Sequence, residues 1–172
     1  MEIIKTGYLE ENTYILTKDK TIIIDPGDDA DKIINYLESN NLELDSILIT
    51  HHHFDHIGAL NDLLNYKKVL VYDNTNLEEK LYNIAGFNIE VIYTPGHTND
   101  SITYYFKDEN IMFTGDFIFK ETIGRTDLGG NNIDMKNSIN KIIKYDKNIK
   151  IYPGHGDYTT LAHELDYNPF FN

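Results

Sequence analysis

The chain has 172 residues, enough for one domain with a sizeable core, and no cysteine, which excludes disulfides, a cysteine nucleophile and thiolate metal ligands. Its 28 acidic and 15 basic residues leave a net charge of −13, which disfavours nucleic acid as a partner because neutralising phosphates requires a basic stripe. No apolar run approaches a membrane span and Met1 to Lys5 carry no signal-peptide pattern, so a cytoplasmic protein with no membrane partner is expected.

Three strands are expected first, at Glu2 to Thr6, Thr13 to Thr17 and Thr21 to Asp25. Asp28 or Asp29 then caps a helix through about Asn40, with Ile33, Ile34 and Leu37 on one face. The apolar run Ile47-Leu48-Ile49 marks a strand over about 46–50, and the loop Thr50-His51-His52-His53-Phe54-Asp55-His56 follows it directly. A helix over roughly 57–65 turns Ile57, Leu60, Leu63 and Leu64 inward, and short β and α pieces fill the chain to about residue 85. Strands at about 89–94, 101–106 and 110–115 come next, the last two joined by the polar turn Lys107-Asp108-Glu109-Asn110. Phe117 to Asn132 reads as a long, irregular, glycine-rich stretch, of a length that is usually functional or mobile. A helix at about 134–145, a strand at about 149–152 and a C-terminal helix bearing His163 complete the chain.

The chemistry concentrates at strand ends. His51, His53, Asp55 and His56 crowd one loop, and imidazole with carboxylate is a ligand set that zinc and iron accept without thiolate. Alternate residues His51 and His53 point one way, leaving Asp55 and His56 to a second ion and His52 pointing away, outside the ligand set. The theme recurs after later apolar runs, in Thr94-Pro95-Gly96-His97-Thr98, Thr114-Gly115-Asp116 and Pro153-Gly154-His155-Gly156. Glycine beside each of these residues lets the backbone turn sharply and approach an ion. Six of the seven histidines fall in such loops; His163 alone lies outside, as ordinary helix surface.

The ordered pattern H-x-H-x-D-H, lone His, lone Asp, final His resembles the metallo-β-lactamase superfamily. The wording T-H-x-H-x-D-H, T-P-G-H-T, T-G-D and P-G-H-G is similar to its glyoxalase II-like branch. Asp25-Pro26-Gly27, Asn12-Thr13-Tyr14, Gly124-Arg125-Thr126-Asp127 and Asn168-Pro169-Phe170-Phe171 resemble further motifs of that branch, so the likeness runs over nearly the whole chain. It implies an α/β fold, a four-layer αββα sandwich, which the alternation of strands and helices accommodates without singling out.

The resemblance also implies a site. His51, His53 and His97 take one divalent metal ion, Asp55, His56 and His155 take the other, and Asp116 bridges them. Zinc is the expected metal, with iron or manganese as alternatives. Metal-bridged water, its pKa lowered to about 7, is the implied nucleophile, Asp55 is available to shuttle a proton, and the metals polarise the scissile carbonyl. Asp25 either fixes a ligand imidazole by accepting its N–H or merely forms a turn. Arg125 either holds a substrate carboxylate or, by preference, pairs with Asp127. A thiol, with a pKa of about 8.5, leaves without much proton donation, so the expected activity is hydrolysis of small-molecule thioesters or activated esters. Soon after the His155 motif the chain ends, without the helical C-terminal domain that supplies much of the glutathione site in full-length glyoxalase II, so little dependence on glutathione is expected. Two rival readings remain at this stage. One is a mononuclear-iron persulfide dioxygenase using His51, His97 and Asp116, which the G-R-T-D loop suggests; the other is a non-catalytic metal-binding module.

Overall fold

The computed structural model of the protein describes residues 1–171. In chain order the elements are β1 (Glu2–Thr6), β2 (Glu11–Thr17), β3 (Thr21–Ile24), α1 (Ala30–Ser39), β4 (Leu44–Leu48), α2 (Phe54–Ile57), α3 (Leu60–Tyr66), β5 (Leu70–Tyr72) and β6 (Leu81–Ile84). They continue with β7 (Phe87–Tyr93), β8 (Ile102–Phe106), β9 (Ile111–Gly115), β10 (Ile118–Phe119), β11 (Thr122–Ile123), α4 (Asn132–Ile142), β12 (Lys150–Pro153), β13 (Thr159–Thr160) and α5 (Leu161–Tyr167). One sheet has the order β1-β2-β3-β4-β5, a second β13-β12-β9-β8-β7-β6, and β10-β11 form a separate small hairpin.

Four layers follow from the two-residue period of the strands. In β2 and β3, Tyr14, Leu16, Ile22 and Ile24 face the second sheet, where they meet Ile89, Val91, Tyr104, Phe106 and Phe113. The intervening Ile15 and Ile23 face the other way, onto Ile33 and Leu37 of α1 and Leu63 of α3. The second sheet does the same in mirror fashion: Ile92, Met112 and Ile151 pack on Met135, Ile139 and Ile142 of α4 and on Leu161 of α5. The result is the αββα sandwich of the metallo-β-lactamase fold. No helix among the described residues is long and apolar enough to cross a membrane.

Several expected boundaries shift. The second strand begins at Glu11, two residues earlier than the apolar pattern suggests, because Glu11 and Asn12 pair with Thr6 and Lys5. The fourth strand covers Leu44–Leu48, so Ile49 and Thr50 already belong to the following loop. Asp29 stands at the N-cap of α1 without a side-chain cap; its carboxylate instead accepts from the Gly7 N–H (3.0 Å) and from Lys32 Nζ (2.6 Å). The helix expected over 57–65 is two pieces, and the first contains Asp55 and His56, which therefore lie on a helical turn rather than in a loop. The stretch from Phe117 to Asn132 contains the β10–β11 hairpin.

Strand direction gathers the motifs. β3 and β4 are parallel, so Asp25 and the histidine loop leave at the same edge, and β2, antiparallel to β3, begins there. In the second sheet β9 and β12 are parallel, and β7 shares their direction because β8 is antiparallel to both β7 and β9. His97, Asp116 and His155 therefore leave at one edge. The two edges are stitched by the Asn-Thr-Tyr motif. Asn12 Nδ2 donates to Pro153 O (3.1 Å) and Gly156 O (2.9 Å), its N–H donates to Gly154 O (2.7 Å), and Tyr14 OH donates to Pro153 O (2.5 Å).

Candidate metal centre

Three imidazole nitrogens converge first. His53 Nδ1 lies 3.2 Å from His51 Nε2 and 2.9 Å from His97 Nε2. Tetrahedral zinc with Zn–N of about 2.0–2.1 Å separates its ligand nitrogens by roughly 3.3 Å, so this spacing suits one cation between them. A second group comprises Asp55, His56 and His155, with His155 Nε2 3.2 Å from Asp55 Oδ2. Asp116 lies between the groups. Its Oδ2 is 3.6 Å from His97 Nε2, and its Oδ1 is 3.3 Å from His56 Nε2 and 3.7 Å from His155 Nε2.

Each ring is held by an acceptor on its far nitrogen, which leaves the inner lone pair free for a cation. His97 Nδ1 donates to Arg125 O (2.7 Å), His53 Nε2 to Leu128 O (3.1 Å) and His155 Nδ1 to Leu9 O (3.1 Å). His56 Nδ1 donates to Asp25 Oδ2 (3.0 Å). His51 Nδ1 donates to Thr50 Oγ1 (3.1 Å), whose own proton goes to Asp25 Oδ2 (2.6 Å). Asp25 also accepts the Thr50 N–H on Oδ1 (2.7 Å), so one buried carboxylate orients two rings. Its φ of 48° makes it a turn residue as well, and the two sequence readings of Asp25 hold together.

Two rings and the bridging carboxylate already have the charge state a cation requires, whereas His56, despite burial, is pushed well up by Asp116 and Asp25, so a cation there would displace its proton. Burial pushes the His51 pKa well down and also lowers that of His97, so both rings present neutral nitrogen. Burial alone would raise the Asp116 carboxyl, but the surrounding imidazoles, His56 first, hold it well below the usual range. His56 Nε2 and Asp116 Oδ1 are buried with no hydrogen-bond partner. Polar atoms orphaned in this way are expensive unless something fills the space between them, and the donor set matches a pair of divalent cations. Gly154 keeps that space open: a Cβ there would strike Asp116 Oδ1 and His56 Cε1.

The remaining sequence candidates separate cleanly. His52 turns away, with Nδ1 2.5 Å from Asp100 Oδ2 and Nε2 3.2 Å from Asp73 Oδ2. Arg125 gives Nε and Nη2 to Asp127 (2.6 and 2.5 Å). His163 meets Glu121 (2.9 Å) away from the site.

Sequence reasoning passed over three features. Thr50 relays Asp25 to His51. Glu11 is buried beneath the site, 4.0 Å from His56 Nδ1, with its pKa raised well above normal by burial. The signal for it was a polar alternation, Glu11 then Thr13, on one face of a strand. The walls of the cleft, about 730 Å³ above Asp116, were also missed: Leu9, Phe54, Phe119 and Leu128 line it. Those walls come from four separate segments of the chain and have no sequence signature.

Comparison with known proteins agrees with this geometry. The model of the metallo-beta-lactamase superfamily matches residues 6–81 and 67–155. The chain is 34% identical to a probable metallo-hydrolase, YqgX of Bacillus subtilis, over 96% of this chain and 94% of that one. It is 30% identical to the hydroxyacylglutathione hydrolase GloC of Haemophilus influenzae, over 100% and 98%. Among solved structures, the B3 metallo-beta-lactamase BLEG-1 superposes with a TM-score of 0.94 at 33% identity, covering 99% of this chain and 98% of that one. TTHA1623, solved in a di-iron-bound form, gives 0.90 at 28% identity, covering 99% and 100%. The fold, the family match and these relatives together place the chain in the metallo-β-lactamase superfamily of metal-dependent hydrolases, with relatives on its glyoxalase II-like side.

Proposed function

We propose that the protein is a dinuclear metal-dependent hydrolase of small thioesters or activated esters. The observation that carries this is Asp116, which turns Oδ2 toward His97 of the three-imidazole group and Oδ1 toward His56 and His155 of the group they form with Asp55. His51, His53 and His97 would hold one cation, and Asp55, His56 and His155 the other, with Asp116 as the anion between them. Two cations bound there would supply a nucleophilic hydroxide at neutral pH and would polarise the carbonyl under attack. Zinc suits the histidine-rich set, and the di-iron form of TTHA1623 makes iron the principal alternative, ahead of manganese. A single iron on His51, His97 and Asp116 would leave Asp55, His56 and His155 convergent for no purpose, which weighs against the dioxygenase reading. A complete ligand set weighs against an idle module.

The choice of a thioester comes from what the cleft lacks. Its ionisable lining residues, among those described, are the candidate ligands His53, Asp55, His97, Asp116 and His155, together with Arg125. None is a spare general acid. A leaving group that departs as an anion is therefore favoured, and a thiol does so near neutral pH far more readily than an amine.

The test begins with metal-quantified protein. About two transition-metal ions per chain are expected after dialysis against metal-free buffer, together with turnover of simple thioesters. Asp116→Ala should abolish that turnover and lower the stoichiometry. A reproducible content of one ion or fewer in the wild type would overturn the dinuclear reading.

A further inference from the structure

The cleft above Asp116 does not end at the metal-binding residues. Leu9 and Phe54 line both it and an adjoining groove of about 380 Å³, which Tyr8, Gly27 and Gly58 also line. The side chains along this path are large, apolar and left in water: Tyr8 is 97% exposed, Phe54 75%, Leu128 47% and Leu9 46%. A single exposed apolar residue needs no explanation, but a contiguous run along two joined cavities at a reacting centre marks a binding surface.

The charges around the path narrow the ligand. Among the described residues Arg125 is the only cation lining either cavity, and both its bonded nitrogens are taken by Asp127. The far end of the second groove carries Asp28, which adjoins a cluster of Asp29, Asp31 and Asp62. Lys32, in that cluster, is held by Asp29 at 2.6 Å. Apart from the metal ions of the proposed centre, a thiol bearing carboxylates or phosphates meets only Arg125, already paired with Asp127, and it approaches acid along the second groove. An uncharged hydrocarbon chain meets Leu9, Phe54 and Tyr8 along most of the path, with Asp28 at its far end.

We infer that the natural substrates are thioesters or esters carrying an uncharged apolar chain, which lies along Leu9 and Phe54 into the second groove. This rests on the hydrolase reading above and names the substrate class of the same site. The chain can belong to the acyl group or to the leaving thiol, since either side of the scissile bond can point toward Phe54. Its burial supplies binding energy remote from the reacting carbonyl.

Two substrate series test this on the metal-loaded protein. One holds N-acetylcysteamine as the thiol and lengthens the acyl group from acetyl to octanoyl. The other holds acetyl and lengthens a neutral alkyl thiol. kcat/KM should rise about twofold to fourfold per methylene in at least one series, until the groove is filled. Phe54→Ser should flatten that rise, and because the side chain is 75% exposed the change leaves the core untouched. S-lactoylglutathione should show no advantage over lactoyl-N-acetylcysteamine. In parallel, calorimetry with non-hydrolysable alkyl thioethers should show affinity increasing with chain length and a negative heat-capacity change, with or without metal.

A flat or falling length dependence in both series overturns the inference while leaving the hydrolase in place. A hundredfold preference for the glutathione thioester does the same. If no ester in either series is hydrolysed, the proposed function fails, and the thioether titration still decides: length-dependent binding sustains the apolar path, and its absence removes it.

Discussion

Asp25 shows how much of the centre depends on one residue that would touch no metal. It accepts from Thr50 N–H, Thr50 Oγ1 and His56 Nδ1, and so orients His56 directly and His51 through Thr50. Asp25→Ala should lower metal affinity or kcat by about 10–100-fold. Chelator-competition titration of the bound metal, read beside kcat, checks this, and wild-type affinity in the variant would show that the rings hold themselves. His52 is the contrasting case. Its ring joins Asp73 and Asp100 at a partly exposed position, and its backbone N–H keeps its own bond to Asp100 when the ring is removed. His52→Ala should reduce kcat by less than about threefold, since exposed ion pairs contribute little. If it were as damaging as Asp116→Ala, the ring orientation would be wrong. At this scale the histidines and aspartates were legible because residue type and spacing carry coordination chemistry. Glu11 and Thr50 were not, because their role lies in what they touch across strands.

Among the elements, the β10–β11 hairpin governs the site most closely. The segment that follows it supplies the Arg125 carbonyl that fixes His97, and a Cβ on Gly124 would collide with the Asp116 carbonyl. The hairpin is tied down from α5. Glu164, fully buried, accepts from the Glu121 N–H (2.9 Å), Asn168 Nδ2 (2.7 Å) and Thr159 Oγ1 (2.5 Å), and Asn168 also donates to Thr122 O (2.9 Å). Glu164→Ala strands these donors in the interior. It should cost about 1–3 kcal/mol and lower Tm by roughly 2–4 °C for each kcal/mol. A thermal melt of the variant decides it; an unchanged Tm would mean that water replaces the carboxylate. The hairpin escaped the sequence reading because two-residue strands are too short for any alternation to register. The break between α2 and α3 escaped for another reason. Ala59 N donates to Pro26 O (3.0 Å), and Gly58 packs on the Gly27 carbonyl, so the helix start is bent onto a turn distant in sequence.

For the molecule as a whole, metal binding and stability should be linked. The centre joins loops from both sheets, so cations held there bind only the folded state. Removing them leaves convergent imidazoles and orphaned atoms such as His56 Nε2 and Asp116 Oδ1. At free metal about 100 times the dissociation constant, binding adds about 2.7 kcal/mol. Stripping the metal with a chelator should then lower Tm by roughly 5–11 °C, and restoring two equivalents should recover it. Equal melting with and without chelator would argue that no cation is held between the sheets.

What was readable from the amino-acid order was the local chemistry and its periodicity. The seven candidate ligands, the absence of thiolate, the buried strands and the family likeness all reside in short contiguous stretches, where residue type and spacing carry the information. Fold class followed from that likeness more than from the pattern of elements. Tertiary structure alone decided the rest. Which carbonyl orients which ring, how Asp25 reaches His51, and where Leu9, Phe54, Phe119 and Leu128 meet depend on strand direction and on contacts between segments far apart in the chain. Such contacts are set by the packing of two sheets against each other, and no local stretch encodes them.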